Sequence, residues 1–96
     1  MIGLIATLRI QAGKAAEFEA VFRDLSAQVK ANEPGCLAYQ LTKSRSEPDT
    51  YKVLELYQDQ DAVTLHGQTA YFKAAGARLG PTLSATPDIE YLDAVE

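Results

Sequence analysis

Hydrophobic residues occupy every second position at the start of the chain. They are Ile2, Leu4, Ala6, Leu8 and Ile10. Strict alternation of this kind predicts a β-strand with one apolar face. The opposite face is mixed rather than wholly polar, because Ile5 lies there between Gly3 and Thr7.

The spacing changes to three and four residues from Lys14 onward, which predicts an amphipathic helix. Its apolar stripe consists of Phe18, Val21, Phe22, Leu25 and Val29. We expect this helix to end in the segment 32–35, because Pro34 lacks an amide donor and disfavours helical backbone at Glu33.

Two more alternating segments, 36–43 and 51–58, flank a polar loop and predict an antiparallel hairpin. One face of the second segment carries Tyr51, Val53, Glu55 and Tyr57, and the other carries Leu54 and Leu56. A short helix capped by Asp59 or Asp61 then runs through His66, and a second helix begins at Thr69. Gly80-Pro81 stops that helix, and 89–95 alternates as a last strand.

The order β-α-β-β-α-β predicts a single α+β domain over residues 1–96, with the ferredoxin-like plan of a four-stranded antiparallel sheet and helices on one face. The first and third strands are apolar or aromatic on both faces, but the helices cover only one. A sheet with one wet face alternates cleanly. We therefore predict a homodimer in which two copies pack their sheet faces together.

Composition narrows the possible partners. The 96 residues are 47% hydrophobic and 23% charged, with a net charge of -4, which is typical of a globular protein. Nucleic-acid binders present a basic face, and no run of Lys or Arg exists here, so we predict no nucleic-acid partner. No segment is long and apolar enough for a bilayer, no leader is visible, and Cys36 is the only cysteine. We predict a cytoplasmic protein with no membrane partner.

Glu55 and His66 are the candidate catalytic residues. A carboxylate among aromatic side chains has a raised pKa and can act as a base or orient a histidine. A solvated position at the sheet rim, or an ion pair with a lysine or arginine across the sheet, is the simpler explanation of Glu55 when it is taken alone. His66, the only histidine, can exchange a proton near neutral pH, but a helix cap or a surface position also explains it. One histidine without ligand spacing around it predicts no metal site, and the lack of a Gly-rich loop predicts no nucleotide or flavin cofactor.

Three segments together resemble the antibiotic biosynthesis monooxygenase family. They are NEPGCLAYQL (32–41), YKVLELYQDQDAVTLH (51–66) and TAYFKAAG (69–76). The resemblance covers nearly the whole chain and implies a dimeric α+β barrel with a pocket between sheet and helices in each subunit. Some members of the family oxygenate quinols or anthrone-type polyketides without metal or flavin, and others isomerise small phosphorylated sugars or degrade haem.

The resemblance carries the family's recurrent site pattern onto Glu55, Tyr57 and His66, with Asn32 and Tyr39 as weaker matches. It implies a cofactor-free, quinol-monooxygenase-like enzyme in which His66, helped or oriented by Glu55, deprotonates a phenol held by Tyr39, Tyr57, Phe72 and Asn32. The chain departs from the haem-degrading branch, since it has no tryptophan and no asparagine on its first strand. An acid/base isomerase of a small hydroxy-carbonyl compound and a non-catalytic dimeric ligand-binding protein are the alternatives.

Overall fold

The chain, seen in a computed structural model that describes residues 1–95, follows the predicted order of strands and helices. The elements are β1 (Ile2–Arg9), α1 (Ala15–Asn32), β2 (Cys36–Lys43), β3 (Thr50–Tyr57), α2 (Gln60–Gln68), α3 (Ala70–Leu79), a 3₁₀ turn (Gly80–Thr82) and β4 (Asp88–Asp93). The strands form one antiparallel sheet in the order β2-β3-β1-β4. The predicted ferredoxin-like α+β fold is confirmed.

The hydrophobic core lies between one face of the sheet and helix α1. The predicted stripe of α1 is buried in full, with Phe18 and Val29 almost completely removed from solvent. It packs against Tyr51, Val53 and Tyr57 of β3, which are each 1% exposed or less. Burying a side chain of this size contributes about 1.5–3 kcal/mol, so this α1–β3 contact fixes which face of the sheet the helices cover.

Helices α2 and α3 meet at a sharp break at Thr69, and each of the two helices begins at a predicted cap, Asp59 and not Asp61 for α2. The Asp59 carboxylate accepts a hydrogen bond from the amide of Ala62 at 2.9 Å, and the Thr69 hydroxyl accepts one from the amide of Phe72 at 3.3 Å. Thr69 has extended backbone between the two helices, which is the usual geometry of an N-cap residue. The break turns His66 and Phe72 toward each other, with ring centroids 4.6 Å apart.

The face of the sheet away from the helices remains open. Cross-strand partners share a face, and the pairs Ile5–Leu54 and Gly3–Leu92 place two leucines there that are 44% and 40% exposed. This is the mixed apolar face that the sequence pattern predicted. None of the helices within residues 1–95 is long and apolar enough to cross a membrane.

Candidate functional site

A cavity of about 400 Å³ lies between the sheet and the helices. Most of its lining is apolar, and the polar groups in its wall come from Tyr39, Glu55, Tyr57, His66 and Tyr91. Ligand sites of this size characteristically combine an apolar wall with a few polar groups. Four of the predicted site residues, Tyr39, Tyr57, Phe72 and His66, therefore line the same space as Glu55.

One row of residues crosses the sheet on the cavity side. Tyr39 of β2 pairs with Glu55 of β3, Glu55 pairs with Leu4 of β1, and Leu4 pairs with Tyr91 of β4. Since directly opposed residues point to the same face, Glu55 faces the helices and the cavity, not the open sheet face. The alternation predicted which residues share its face, and the packing of α1 on that face makes it the enclosed one.

His66 is buried in the wall of the cavity, with 7% of its surface exposed. Its ring lies among three aromatic rings, with centroid distances of 4.6 Å to Phe72, 5.3 Å to Tyr39 and 5.6 Å to Tyr57. These contacts come from α3, β2 and β3, so three elements restrain the imidazole. The surface-histidine interpretation of His66 does not hold in this structure.

The partner of His66 is Glu33, which lies in the segment where the sequence predicts the end of the first helix. Nδ1 of His66 lies 2.9 Å and 3.2 Å from the two carboxylate oxygens of Glu33. The hydroxyl of Tyr71 donates a hydrogen bond to the same carboxylate. The expectation that Glu55 orients His66 is therefore wrong, because the carboxylate that holds the ring comes from the end of α1.

The sequence did contain a signal for Glu33. The buried stripe of α1 advances by four residues from Leu25 to Val29, and one more step of four reaches Glu33. A residue at this spacing falls on the same side of a helix, and Glu33 is indeed only 4% exposed. A charged residue that continues an apolar stripe needs a buried partner, which is a reason to search for one.

Nε2 of His66 is the ring nitrogen left available to the cavity. No side chain of residues 1–95 hydrogen-bonds to it. Within residues 1–95, every fully buried side-chain nitrogen or oxygen has a hydrogen-bond partner. Because Nε2 has none, it is not fully buried and keeps some accessible surface. A carboxylate accepts hydrogen bonds and does not donate them. Glu33 therefore favours a proton on Nδ1, which makes Nε2 of the neutral ring an acceptor.

Glu55 is held by a different group. The hydroxyl of Tyr57 donates to its carboxylate at 2.5 Å. Burial raises the pKa of Glu55 to about 7, the Tyr57 hydrogen bond opposes this rise, and the negative charge of Glu33 adds to it. Burial and the Glu55 carboxylate also raise the pKa of Tyr57, so its hydroxyl stays protonated. Near neutral pH the cavity thus holds a carboxyl group that exists in both protonation states.

Asn32 does not line this cavity. Its side-chain amide bonds to the backbone carbonyl and the side chain of Gln28 at 2.8 Å and 3.2 Å, and the residue is exposed. One residue along a helix turns the side chain by about 100°, which separates exposed Asn32 from buried Glu33. Asn32 instead borders a depression on the outer surface, so we omit it from the substrate-binding residues.

Cys36 lies near Glu33 and Glu55, but its thiol does not hydrogen-bond to His66. Its thiol contacts the carbonyl of Ala38 at 3.4 Å, and burial, followed by the charges of Glu33 and Glu55, raises its pKa to about 11. Within residues 1–95, no cluster of three or more His, Cys, Asp or Glu side chains is arranged to hold a metal ion.

Comparisons with known proteins agree with the fold and identify the family. The family model for antibiotic biosynthesis monooxygenase matches residues 1–78. The chain is 32% identical over 89 residues to "Putative monooxygenase YcnE" of Bacillus subtilis (strain 168), covering 93% of each protein.

Solved structures extend the comparison. "A putative antibiotic biosynthesis monooxygenase" from Caulobacter crescentus CB15 is 66% identical with a TM-score of 0.97, covering 99% of this chain and 90% of that one. Rv0793 from Mycobacterium tuberculosis is 18% identical with a TM-score of 0.90, covering 99% and 95%, and shares the fold. The resemblance predicted from the three sequence segments is confirmed, and the chain belongs to the antibiotic biosynthesis monooxygenase family.

Proposed function

We propose that the protein is a cofactor-independent monooxygenase that acts on a small, uncharged aromatic quinol or phenol. The observation that carries this proposal is the geometry of His66. Its ring is buried among aromatic side chains, Nδ1 is held by Glu33, and Nε2 is left as the acceptor in an apolar cavity. A base in a dry aromatic site is what the deprotonation of a phenol requires.

The first step is proton transfer from the phenolic hydroxyl to Nε2 of His66. The O–H bond breaks, an N–H bond forms, and the substrate becomes a phenolate beside an imidazolium. A positioned general base contributes about 10²–10⁴-fold to such a step. Phe72 and Tyr39 flank the imidazole, and they supply flat surfaces against which an aromatic ring can stack.

The second stage is the reaction with oxygen. The phenolate gives one electron to O₂, and the resulting substrate radical and superoxide combine to form a carbon–oxygen bond. The imidazolium returns its proton to the peroxide. Loss of the ring C–H proton and cleavage of the O–O bond then release water and leave one oxygen atom on carbon as a carbonyl. The substrate supplies all the electrons, so the balance needs only O₂.

Glu55 and Tyr57 are suited to hold a second oxygen of a quinol. With a pKa of about 7, the carboxyl group of Glu55 donates a hydrogen bond when protonated and accepts one when ionised. The Tyr57 hydroxyl keeps it in place from β3. A substrate with oxygens at both ends of a ring satisfies His66 and Glu55 together.

The charge of the cavity favours a neutral substrate over a phosphorylated sugar. No lysine or arginine of residues 1–95 lines the cavity, whereas Glu55 does. Sites for phosphate groups use cationic side chains or backbone amides at a helix start. An isomerase of a phosphorylated sugar would therefore find no cationic side chain among the described lining residues to hold the phosphate.

The test is oxygen uptake by chelator-treated protein with a panel of hydroquinones, naphthoquinols and anthrones, each corrected for autoxidation without protein. His66→Asn is the informative variant, because its amide can still donate to Glu33 but is not a base. Glu19→Gln is the matched control, since Glu19 also accepts a tyrosine hydroxyl, from Tyr51 at 2.5 Å, but does not line this cavity. We expect His66→Asn to lose at least 10²-fold and the control to retain wild-type uptake.

Sulfonated analogues of the best substrate test the charge argument in the same assay. They should react at least 10-fold more slowly in kcat/KM, because an anion entering this cavity meets Glu55 and no cation. Absence of uptake across the whole panel would favour the ligand-binding alternative, and equal rates for wild type and His66→Asn would remove His66 from the mechanism.

We also propose that the protein is a homodimer joined through its open sheet faces. Leu54 and Leu92 are exposed there, and Ile5 and Leu56 are only partly covered. Pairing two such faces would bury the apolar row formed by β1, β3 and β4 while leaving both cavities, on the helix side, intact. The mass of the protein in solution tests this proposal.

A further inference from the structure

Glu33 is a buried carboxylate whose two donors come from opposite sides. His66 approaches it from the cavity wall, and Tyr71 approaches it from the outer surface. Glu33 and Tyr71 both line a second depression of about 440 Å³, which is bordered by Gln28 and Thr69 and is separate from the cavity. Burying a carboxylate is costly unless it is paired, so this arrangement is satisfied only while both donors are present.

The backbone that carries Glu33 is fixed against the helix that carries His66. Glu33 is the C-terminal cap of α1, with its amide bonded to the carbonyl of Val29 and its carbonyl accepting from the amide of Cys36, both at 3.0 Å. Two residues later, a Cβ on Gly35 would lie 2.8 Å from Cβ of Ala62 in α2. Only glycine allows α2 to come this close, so the Glu33–His66 distance is built into the backbone contact.

Tyr71 closes the carboxylate from the solvent side. Burial, followed by the hydrogen bond and charge of Glu33, raises the pKa of Tyr71 to about 12, so the hydroxyl remains a donor across the working range of pH. The Tyr71 hydroxyl donates to a carboxylate oxygen of Glu33 that would otherwise accept a hydrogen bond from water. The carboxylate is thereby directed at the imidazole and not at the depression.

We propose that Glu33 is the positioning residue of the reaction, and that Tyr71 holds it in this role. Glu33 fixes the proton of neutral His66 on Nδ1 and turns Nε2 to the substrate. It then faces the imidazolium during the interval in which the substrate is an anion and O₂ adds. This inference rests on the proposed function, in which His66 takes up and returns the phenolic proton. The position of the proton on the His66 ring, however, can be measured without substrate.

The first readout is the tautomer of His66. The chain has a single histidine, so protein labelled with ¹⁵N-histidine gives two imidazole signals and no overlap. At a pH where the ring is neutral, we expect the wild type to show the proton on Nδ1. Glu33→Gln should shift the ratio toward Nε2–H, because the amide now offers donors as well as an acceptor, while Glu19→Gln should leave the ratio unchanged.

The second readout is turnover of the best quinol. We expect Glu33→Gln to lower kcat by about 10–100-fold, the range found when the hydrogen-bond partner of a metal-bound imidazole is replaced, because Glu33 orients its ring in the same way. We expect KM to change by less than about threefold, since Glu33 does not line the cavity. Tyr71→Phe should lower kcat by a smaller factor and keep Nδ1–H, and Tyr51→Phe, which removes the equivalent hydroxyl from Glu19, should have no effect on either readout.

The outcomes separate the two proposals. Nε2–H in the wild type, an unchanged tautomer in Glu33→Gln, or an unchanged kcat in that variant would each overturn the positioning role. A wild type that turns over nothing but shows Nδ1–H, lost in Glu33→Gln, would overturn the proposed oxygenase function and leave Glu33 as the residue that orients His66. Circular dichroism confirms that each variant is folded before either readout is used.

Discussion

Replacing Glu55 by glutamine should change the pH dependence of stability in a defined direction. Burial raises the pKa of Glu55 from 4.5 to about 7, so the folded protein binds this proton more tightly than the unfolded chain does. Its contribution to stability is fully present below about pH 4.5 and is lost as the pH rises through about 7. Glutamine has the same shape and can accept the Tyr57 hydroxyl, but it does not titrate.

The size of the effect follows from the shift. One pKa unit corresponds to about 1.4 kcal/mol, so the shift of Glu55 from 4.5 to about 7 corresponds to about 3 kcal/mol. Most of this falls between pH 5 and pH 8, where we expect the wild type to lose about 2–3 kcal/mol relative to Glu55→Gln.

The assay is urea unfolding followed by circular dichroism at several values between pH 5 and pH 8, with both proteins at the same concentration. The quantity of interest is the difference in unfolding free energy between wild type and Glu55→Gln at each pH. As the pH rises, the wild type should become less stable relative to Glu55→Gln. A difference that stays constant within about 0.5 kcal/mol would refute the claim that Glu55 is buried in the cavity with a raised pKa.

Three further predictions concern the packing, the thiol and the assembly. Gly35→Ala should cost about 1–3 kcal/mol through the contact with Ala62 and slow turnover. Adding Ala62→Gly removes the Cβ that the new side chain meets, so it should restore part of the turnover. Additive effects of the two substitutions would contradict the contact. Cys36, with its pKa near 11 against a usual 9.0, should react with iodoacetamide about 100-fold more slowly in the folded protein at pH 8 than in urea; equal rates would contradict its burial. Light scattering should give twice the chain mass of 10.4 kDa. Leu54→Lys should halve the measured mass, whereas Leu65→Lys, at an exposed position of α2, should not, and a monomeric wild type would rule out the dimer.

Periodicity in the sequence predicted most of the fold. Alternation in β1 and β3 and the three-to-four spacing in α1 each reflect one buried face. The pattern therefore predicts correctly both the type of each element and the face that it buries. The cap Thr69 is confirmed, and Asp59 is the observed one of the two predicted caps Asp59 and Asp61, because capping depends on neighbours within four residues. Local rules of this kind also showed that Glu55 shares a face with Tyr57.

The hydrogen bond between His66 and Glu33 could not be predicted from local patterns. His66 and Glu33 are 33 residues apart, and their contact depends on α2 docking against the turn at Gly35, which no periodicity encodes. Pro34 predicts only where the helix ends, and the burial of Glu33 follows from its spacing to Val29. The apolar neighbours of Glu55 predict a buried carboxylate correctly, but the carboxylate that contacts His66 is Glu33.

If His66 initiates oxygen transfer to an aromatic substrate without a cofactor, as we propose, then the product carries an oxygen atom that comes from O₂. Chelator-treated wild-type protein and His66→Asn would each be given the best quinol under ¹⁸O₂, and the product would be analysed by mass spectrometry. We expect one ¹⁸O atom in the product of the wild type and at least 10²-fold less labelled product from His66→Asn. Unlabelled product, or equal labelling by the two proteins, would contradict the mechanism.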